Sequence, residues 1–314
     1  MKIYFAPMEG LTDSVYRRLH HQYFGGVDRY YMPFLSPTVH RSLTPREARE
    51  LPPADSQPFT AIPQLLTKVA DDFLWAAEQC RDLGYEEVNL NVGCPSGTVT
   101  AKGKGSGMLR DPEALDSFLE AIFEKSPLPI SVKTRLGFEN AEEFPRLLEV
   151  YNRYPICELT IHPRVRAQFY KGSVDIEAFR YATENSRAPL CYNGNLCSVE
   201  DIEAFQKDFP AVEAVMLGRG LIGDPGMLLP GGTQVAVLEQ FMDALLEEYA
   251  VVFGSRRNAM FRLKENWHLL CCRFEDSEKL TKKLRKTTDY DDFRAITKEL
   301  LHTCPLSPRL NPDW

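Results

Sequence analysis

The sequence predicts a parallel (β/α)8 TIM barrel, an α/β fold, followed by a small all-helical C-terminal domain. Three observations lead there. Short apolar segments of strand character recur eight times, most of them separated by amphipathic runs of helical period. Polar groups stand at the carboxyl ends of nearly all these segments, the rim where barrels of this kind build their sites. After about residue 230 the strand-like segments stop and only helical patterns follow.

The eight predicted strands are residues 3–6, 29–32, 61–65, 87–91, 130–133, 158–161, 190–193 and 214–217. Between them, residues 69–83 and 111–123 read as amphipathic helices, the second opening on Asp111-Pro112 as a helix start should. The stretch 42–58 is polar and proline-rich, and reads as a loop over the barrel mouth rather than a helix. Gly231 and Gly232 mark a junction, which gives a catalytic barrel at 1–230 and a helical domain at 231–314. Helix starts are expected near Thr233 and Asp289.

At 314 residues the chain has room for a barrel of ~250 residues and a small extra module. Apolar residues make up 44% and charged residues 26%, which suits a globular protein with a filled core. No apolar run is long enough to span a membrane, and the first residues lack the apolar core of a signal peptide. The expected location is the cytoplasm. The eight cysteines show no CxxC pair and no zinc-like spacing, so no metal is expected and the thiols should be reduced. A net charge of −7 argues against nucleic-acid binding by the whole surface, not against a local basic patch.

The fourth strand runs into the most telling stretch, NLNVGCPSGTVTAKGKGSGML at 89–109. Cys94 follows a strand end and enters a loop carrying Gly97, Gly103, Gly105 and Gly107 with Lys102 and Lys104. A buried thiol and turn glycines would be the plain alternative. The flanking Pro95, the glycines and the lysines favour a thiol at the rim and in use. The other strand ends carry Ala6-Pro7-Met8-Glu9, Gln64, Asn91, Lys133-Thr134-Arg135, His162-Pro163-Arg164, Asn193-Gly194-Asn195 and Gly218-Arg219-Gly220. The last two fit the place where barrels hold a phosphate through backbone N–H groups, and Arg219 adds charge. With Lys133 and His162 at hand, a phosphorylated cofactor such as FMN fits. No GxGxxG follows the first strand, which argues against a Rossmann-bound dinucleotide.

From 256 to 286 there are ten Lys or Arg against four acids, interleaved with Phe261, Trp267, His268 and Phe274. Such a run is commonly a solvated helix face, yet it is also what an RNA backbone would track.

These residues resemble the tRNA-dihydrouridine synthase family. The stretches that carry the resemblance are APMEGLTD (6–13), QLL (64–66), NLNVGCPS (89–96), GKGSGML (103–109), VKTRLG (132–137), HPR (162–164), YNGN (192–195) and LGRGLIGDP (217–225), with FRLKENW (261–267) similar to the family's helical motif. The resemblance covers essentially the whole chain. It implies FMN in the barrel, NADPH as reductant and uridine in tRNA as substrate, reduced at its C5–C6 bond. It further implies Cys94 as general acid, and Ala6, Pro7, Met8, Gln64, Lys133 and His162 as FMN contacts. Asn193, Gly194, Asn195, Gly218 and Arg219 would grip the phosphate; Asn91, Arg135 and Tyr170 would hold the flipped uracil. Two positions depart from the pattern: Pro163 stands where Gly or Ala often precedes the arginine, and Asn266 where His is common. A monomer is expected. The alternative is a flavin barrel reducing free pyrimidines, similar to dihydroorotate dehydrogenases, which would need no basic helical tail.

Overall fold

The computed structural model describes residues 1–310. Nine short strands form one parallel sheet: β1 (Lys2–Phe5), β2 (Arg29–Tyr31), β3 (Ala61–Ile62), β4 (Gln64–Leu65), β5 (Val88–Val92), β6 (Ile130–Arg135), β7 (Leu159–His162), β8 (Leu190–Tyr192) and β9 (Ala214–Leu217). Their order is β3-β2-β1-β9-β8-β7-β6-β5-β4. The two outermost strands are neighbours in sequence, separated only by Pro63. A proline has no N–H for the ladder, so one strand appears as two halves, β3 paired with β2 and β4 with β5. The sheet thus comes round on itself as the eight-stranded barrel expected, each strand within one or two residues of its predicted place.

Side-chain alternation sorts the strands into two faces. Tyr4 on β1 and Tyr31 on β2 both donate hydroxyl hydrogen bonds to the carboxylate of Glu158, at 3.0 and 3.1 Å. Glu158 precedes β7, which neighbours neither β1 nor β2, so these bonds cross the barrel interior. Two residues per step then put Thr160 and His162 on the same inner face as Glu158. Register carries the assignment round the sheet: Thr160 lies opposite Lys133 and Cys191, and Lys133 opposite Asn91. One step higher, Arg135 lies opposite His162. The outer face of the same strands is Val88, Leu90, Val92, Ile130, Val132, Leu159 and Ile161, all buried. A strand with one apolar face for the helices and one polar face for the interior is what the barrel needs.

One expectation is corrected. Residues 45–50, within the stretch read as a loop, form the helix Pro45–Glu50. Thr44 and Glu47 make a capping box, and Pro45 occupies the first turn, where its missing N–H costs nothing. Proline was there a helix starter rather than a breaker.

The chain packs as two compact units, which do not divide at residue 230. One comprises Met1–Pro7, Asp28–Asn195 and Phe205–Met216; the other Met8–Val27, Leu196–Ala204 and Leu217–Trp314. The second unit is helical, with Val235–Val252 and Arg256–Leu270 packed together and the early helix Ser14–Tyr23 against the first of them. Tyr16 and Phe24 meet the ring of Phe241 edge-on, at 5.4 and 5.0 Å. Asp13 ties the unit together. Its carboxylate caps the helix Ser14–Tyr23 through the Tyr16 N–H, accepts the Tyr249 hydroxyl at 2.8 Å and pairs with Arg262 at 2.9 Å. Two of the resemblance stretches, 6–13 and 261–267, therefore meet in one ion pair.

Removing one partner of a largely buried pair leaves the other uncompensated. Asp13→Ala should cost about 3 kcal/mol in denaturant unfolding, with Asp13→Asn, which keeps an acceptor oxygen, roughly half as costly. A loss below 0.5 kcal/mol for Asp13→Ala would show that the pair adds little.

Candidate active site

The first compact unit brings together Gln64, Asn91, Cys94, Lys133, Arg135, His162, Arg164, Tyr170, Asn193 and Asn195. Two amides begin the arrangement. Gln64 donates to Asn89 Oδ1 at 2.8 Å, and Asn91 donates to Gln64 Oε1 at 2.8 Å. Asn89 in turn donates to Ser131 Oγ. The Asn91 oxygen then accepts two backbone N–H groups, those of Gly93 and Cys94, at 3.0 and 2.9 Å. A side-chain amide that closes on the backbone two and three residues ahead bends the chain. Asn91 is thus what turns the end of β5 and sets the direction of Cys94.

The loop after Cys94 is fitted to it closely. Ser106 donates both its N–H and its hydroxyl to the Cys94 carbonyl, at 3.1 and 2.8 Å. Gly105 has φ +57°, and a Cβ there would lie 3.0 Å from both Cys94 Cβ and the Cys94 carbonyl oxygen. A side chain at 105 would push the thiol out of place. Lys104 reaches back to Ser36 Oγ at 3.1 Å, and burial with the nearby Lys102 and Lys68 charges lowers its pKa.

The other wall is cationic. Arg135 is buried; its Nε donates to the Gly93 carbonyl at 2.9 Å and its terminal nitrogen to Val165 O at 3.1 Å. Its guanidinium lies 5.3 Å from the Tyr170 ring centre. Arg164 donates to His162 Nε2 at 3.1 Å, to Asn195 Oδ1 at 3.1 Å and to the Gly172 carbonyl at 2.6 Å. A guanidinium has no acceptor, so His162 Nε2 must carry no proton and the ring N–H is at Nδ1. Burial and the charges of Arg135, Lys133 and Arg164 push the His162 pKa well below its ordinary value, keeping it neutral. Lys133 has no hydrogen-bond or ion-pair partner among the described residues, and burial, reinforced by Arg135, pulls its pKa down to about 8. Neither Lys133, Arg135 nor Arg164 is paired with a carboxylate among the described residues.

Asn193 follows β8 and donates from Nδ2 to Met216 O at 2.7 Å. Gly194 has no room for a side chain: a Cβ would come within 2.9 Å of the Tyr192 hydroxyl and of Val174. Asn195 holds the left-handed conformation at φ +40°. Ala6 and Pro7 directly follow β1 in this unit. Met8 belongs to the second unit, its N–H bound to Thr12 Oγ1 at 2.9 Å. Gly218 and Arg219 also belong there; Gly218 follows β9 and opens the short helix Arg219–Gly223. The sequence placed Arg164 at the rim without giving it a role, and gave no sign that Asn89 and Ser106 belong to the arrangement.

A family comparison decides what kind of protein carries this arrangement. The dihydrouridine synthase (Dus) family model matches residues 4–299. The chain belongs to the dihydrouridine synthase family. It is an oxidoreductase of that family. A tRNA-dihydrouridine(16) synthase of Neisseria meningitidis is 27% identical over 96% of this chain and 95% of its own length. A probable tRNA-dihydrouridine synthase of Rhizobium leguminosarum bv. phaseoli is 30% identical over 80% of this chain and 78% of its own. Among solved structures, a variant of morphinone reductase in complex with tetrahydroNAD shares the fold. Its TM-score is 0.52 at 10% identity, with 72% of this chain and 85% of that one covered. Within the family's barrel, the polar inner face above Glu158 is the candidate active site. Among the described residues no helix is long and apolar enough to cross a membrane.

Lys133 should make the flavin-free protein less stable than it need be. Its folded pKa of about 8 lies below the ordinary 10.5, so below pH 8 the native state bears a poorly hydrated charge at full cost. Between about pH 8 and 10 the native lysine loses its proton while the unfolded chain keeps it, and the cost fades. Lys133→Met should therefore raise the melting temperature at pH 7, and the gain should shrink by pH 10. An equal gain at both pH values would remove Lys133 charge as its cause.

Proposed function

We propose that this chain reduces specific uridines in tRNA to 5,6-dihydrouridine, with FMN as its cofactor and NADPH as reductant. The observation that carries the reading is the cationic wall of Lys133, Arg135 and Arg164 facing the loop that holds Cys94, with no carboxylate among the described residues to neutralise it. Buried cations in such an arrangement want an anionic or electron-rich partner.

FMN fits the residues present. Gln64 keeps one amide N–H beyond its bond to Asn89, Lys133 offers an ammonium group, and Gly194 a backbone closely approached from one side. Gln64, Lys133, His162 and the turn Asn193-Gly194-Asn195 would hold the group, with Ala6 and Pro7 as further contacts at a strand end of the same unit. When bound and reduced, FMN supplies the hydride that uracil accepts at C6. Lys133 beside it stabilises negative charge. Asn91 retains one amide N–H beyond its bond to Gln64, and with the Arg135 fork and Tyr170 it orients the uracil carbonyls. Cys94 Sγ gives its proton to C5. A thiol that carries its proton can serve as the general acid this step needs. The target base has to leave its stack to reach a barrel interior, which costs a few kcal/mol that contacts elsewhere on the RNA offset.

Those contacts we assign to the second unit, and there the structure narrows the sequence reading. Half of the ten cations at 256–286 serve the protein itself. Arg256 pairs with Glu247, Arg262 with Asp13 and Arg273 with Asp224; Arg285 donates to His268 Nδ1. Lys264 donates to the carbonyls of Arg285 and Thr287 at 2.8 Å each, closing the end of the helix Glu278–Lys286. Arg257, Lys279, Lys282, Lys283 and Lys286 are exposed. Four of these lie on Glu278–Lys286, whose Leu280 and Leu284 are buried. That helix is the RNA-facing element of the proposal.

Single-turnover kinetics test the chemistry. With the flavin reduced beforehand and oxygen excluded, Cys94→Ala should reoxidise on tRNA ~10²–10⁴-fold more slowly than the parent while keeping its colour. Equal rates would make the thiol structural. A parent enzyme that reduces free uracil or orotate but not tRNA would favour the alternative reductase. For the RNA contact, Lys279→Glu with Lys283→Glu should raise the KM for tRNA, leave kcat near that of the parent and flatten the salt dependence of binding by roughly one unit of slope per lysine. An unchanged slope would place the RNA elsewhere.

A further inference from the structure

We infer that Phe169 is a stacking platform for an unpaired RNA base beside the target uridine, an inference that rests on the tRNA reading above and extends it to a second nucleotide. Phe169 combines three features that seldom coincide. It is 41% exposed, where an aromatic side chain of its size is ordinarily covered. Its φ is +53°, a backbone conformation that a bulky side chain avoids unless its surroundings enforce it. It also ends a ladder of alternating guanidinium groups and rings. Arg110 lies 3.8 Å from the ring centre of buried Phe138, Arg166 lies 5.1 Å from the same ring, and Arg166 lies 5.0 Å from Phe169. The ladder runs from exposed Arg110 across buried Phe138 and stops at a half-exposed ring.

The place is adjacent to the candidate site. Tyr170, the next residue, is 44% exposed and stands over Arg135 at 5.3 Å and edge-on to His162 at 6.1 Å. The segment is held at both ends: the Arg166 N–H donates to Gly137 O, and Arg164 donates to Gly172 O. A ring fixed by a strained but anchored turn, backed by a cation and open to solvent, is pre-organised for a flat partner. Every nucleobase has such a face, so this contact would be tolerant of sequence. A site that draws one base out of a stack leaves its neighbour without a stacking partner. Phe169 can supply one.

The test uses the full-length flavoprotein and two readouts. Phe169→Leu keeps bulk but removes the aromatic face; the KM for tRNA should rise roughly tenfold with kcat changed less than twofold, and Phe169→Trp should restore the parental KM. Independently of turnover, a short single-stranded RNA with 2-aminopurine beside a uridine should be quenched on binding by the parent and the Trp variant, not by Leu. Phe169→Gly should show the raised KM without a lowered melting temperature, since it relieves the positive φ; a merely structural ring would lower it. Parental KM and quenching in Phe169→Leu overturn the inference while leaving uridine reduction standing. Loss of quenching in Phe169→Leu, in a protein found not to reduce tRNA, supports the platform and overturns the function instead.

Discussion

The interior of a closed barrel has to be filled by its own side chains, and here the two ends are filled in opposite ways. Towards the start of the strands, Tyr4, Tyr31 and Arg29 surround Glu158 and Glu87. The carboxylate of Glu158 accepts two hydroxyls, and Glu87 pairs with Arg29 at 3.0 Å. That end is a neutralised polar plug. Towards the carboxyl ends, Lys133, Arg135 and Arg164 accumulate with no carboxylate partner among the described residues. The difference matters because a buried cation is tolerated only when something compensates for its lost hydration. At the plug the compensation is internal. At the rim, carbonyls and the side chains of His162 and Asn195 meet Arg135 and Arg164, and in the proposed function a ligand supplies the remaining compensation.

The backbone that carries the thiol is turned by a chain of side-chain amides. Cys94 owes its direction to the Asn91 side chain, Asn91 is oriented by Gln64, and Gln64 is held by Asn89. The three amides come from two neighbouring strands and Cys94 from the turn that follows one of them, so the barrel register that pairs Gln64 with Asn89 also bears on the thiol. The break at Pro63 sits just before this chain of amides. Pro63 donates nothing to the ladder, but its carbonyl still accepts the Asn89 N–H at 2.8 Å, so the strand stays paired where the amides begin.

Much of this was legible in the sequence. Period-two alternation located eight strands, and with them which residues would stand at the rim. What alternation cannot give is the partner. Asn91 was assigned to the uracil by resemblance, yet its oxygen is already committed to the turn that carries Cys94, leaving only an N–H to offer. Arg262 and Lys264 read as part of a basic surface because composition counts charges without seeing that Asp13, 249 residues away, and two helix-end carbonyls engage them. The helix Pro45–Glu50 was hidden because proline breaks helices everywhere but in their first turn. The division of the chain was obscured for the same reason as the ion pair: Gly231-Gly232 is a visible joint, but the helix Ser14–Tyr23 joins the later helices through contacts that no local pattern announces.

The second unit explains why the two resemblance stretches furthest apart in sequence, 6–13 and 261–267, belong to one structural task. Ala6 and Pro7 end a barrel strand, whereas Asp13 caps the next helix and anchors Arg262 and Tyr249 of the helical unit. A few residues of chain therefore pass from the sheet to the packing of the helices. If the helical unit grips the RNA and the barrel carries out the reduction, this short segment is one of the covalent routes by which a strand end of the barrel is tied to the helical unit. Asp13 then matters beyond its own ion pair. Cutting the chain after residue 230 would remove Phe241, Tyr249 and Arg262 from the helix Ser14–Tyr23 and expose its apolar face, so the contributions of the two units are separable by charge substitutions on Glu278–Lys286 and not by truncation.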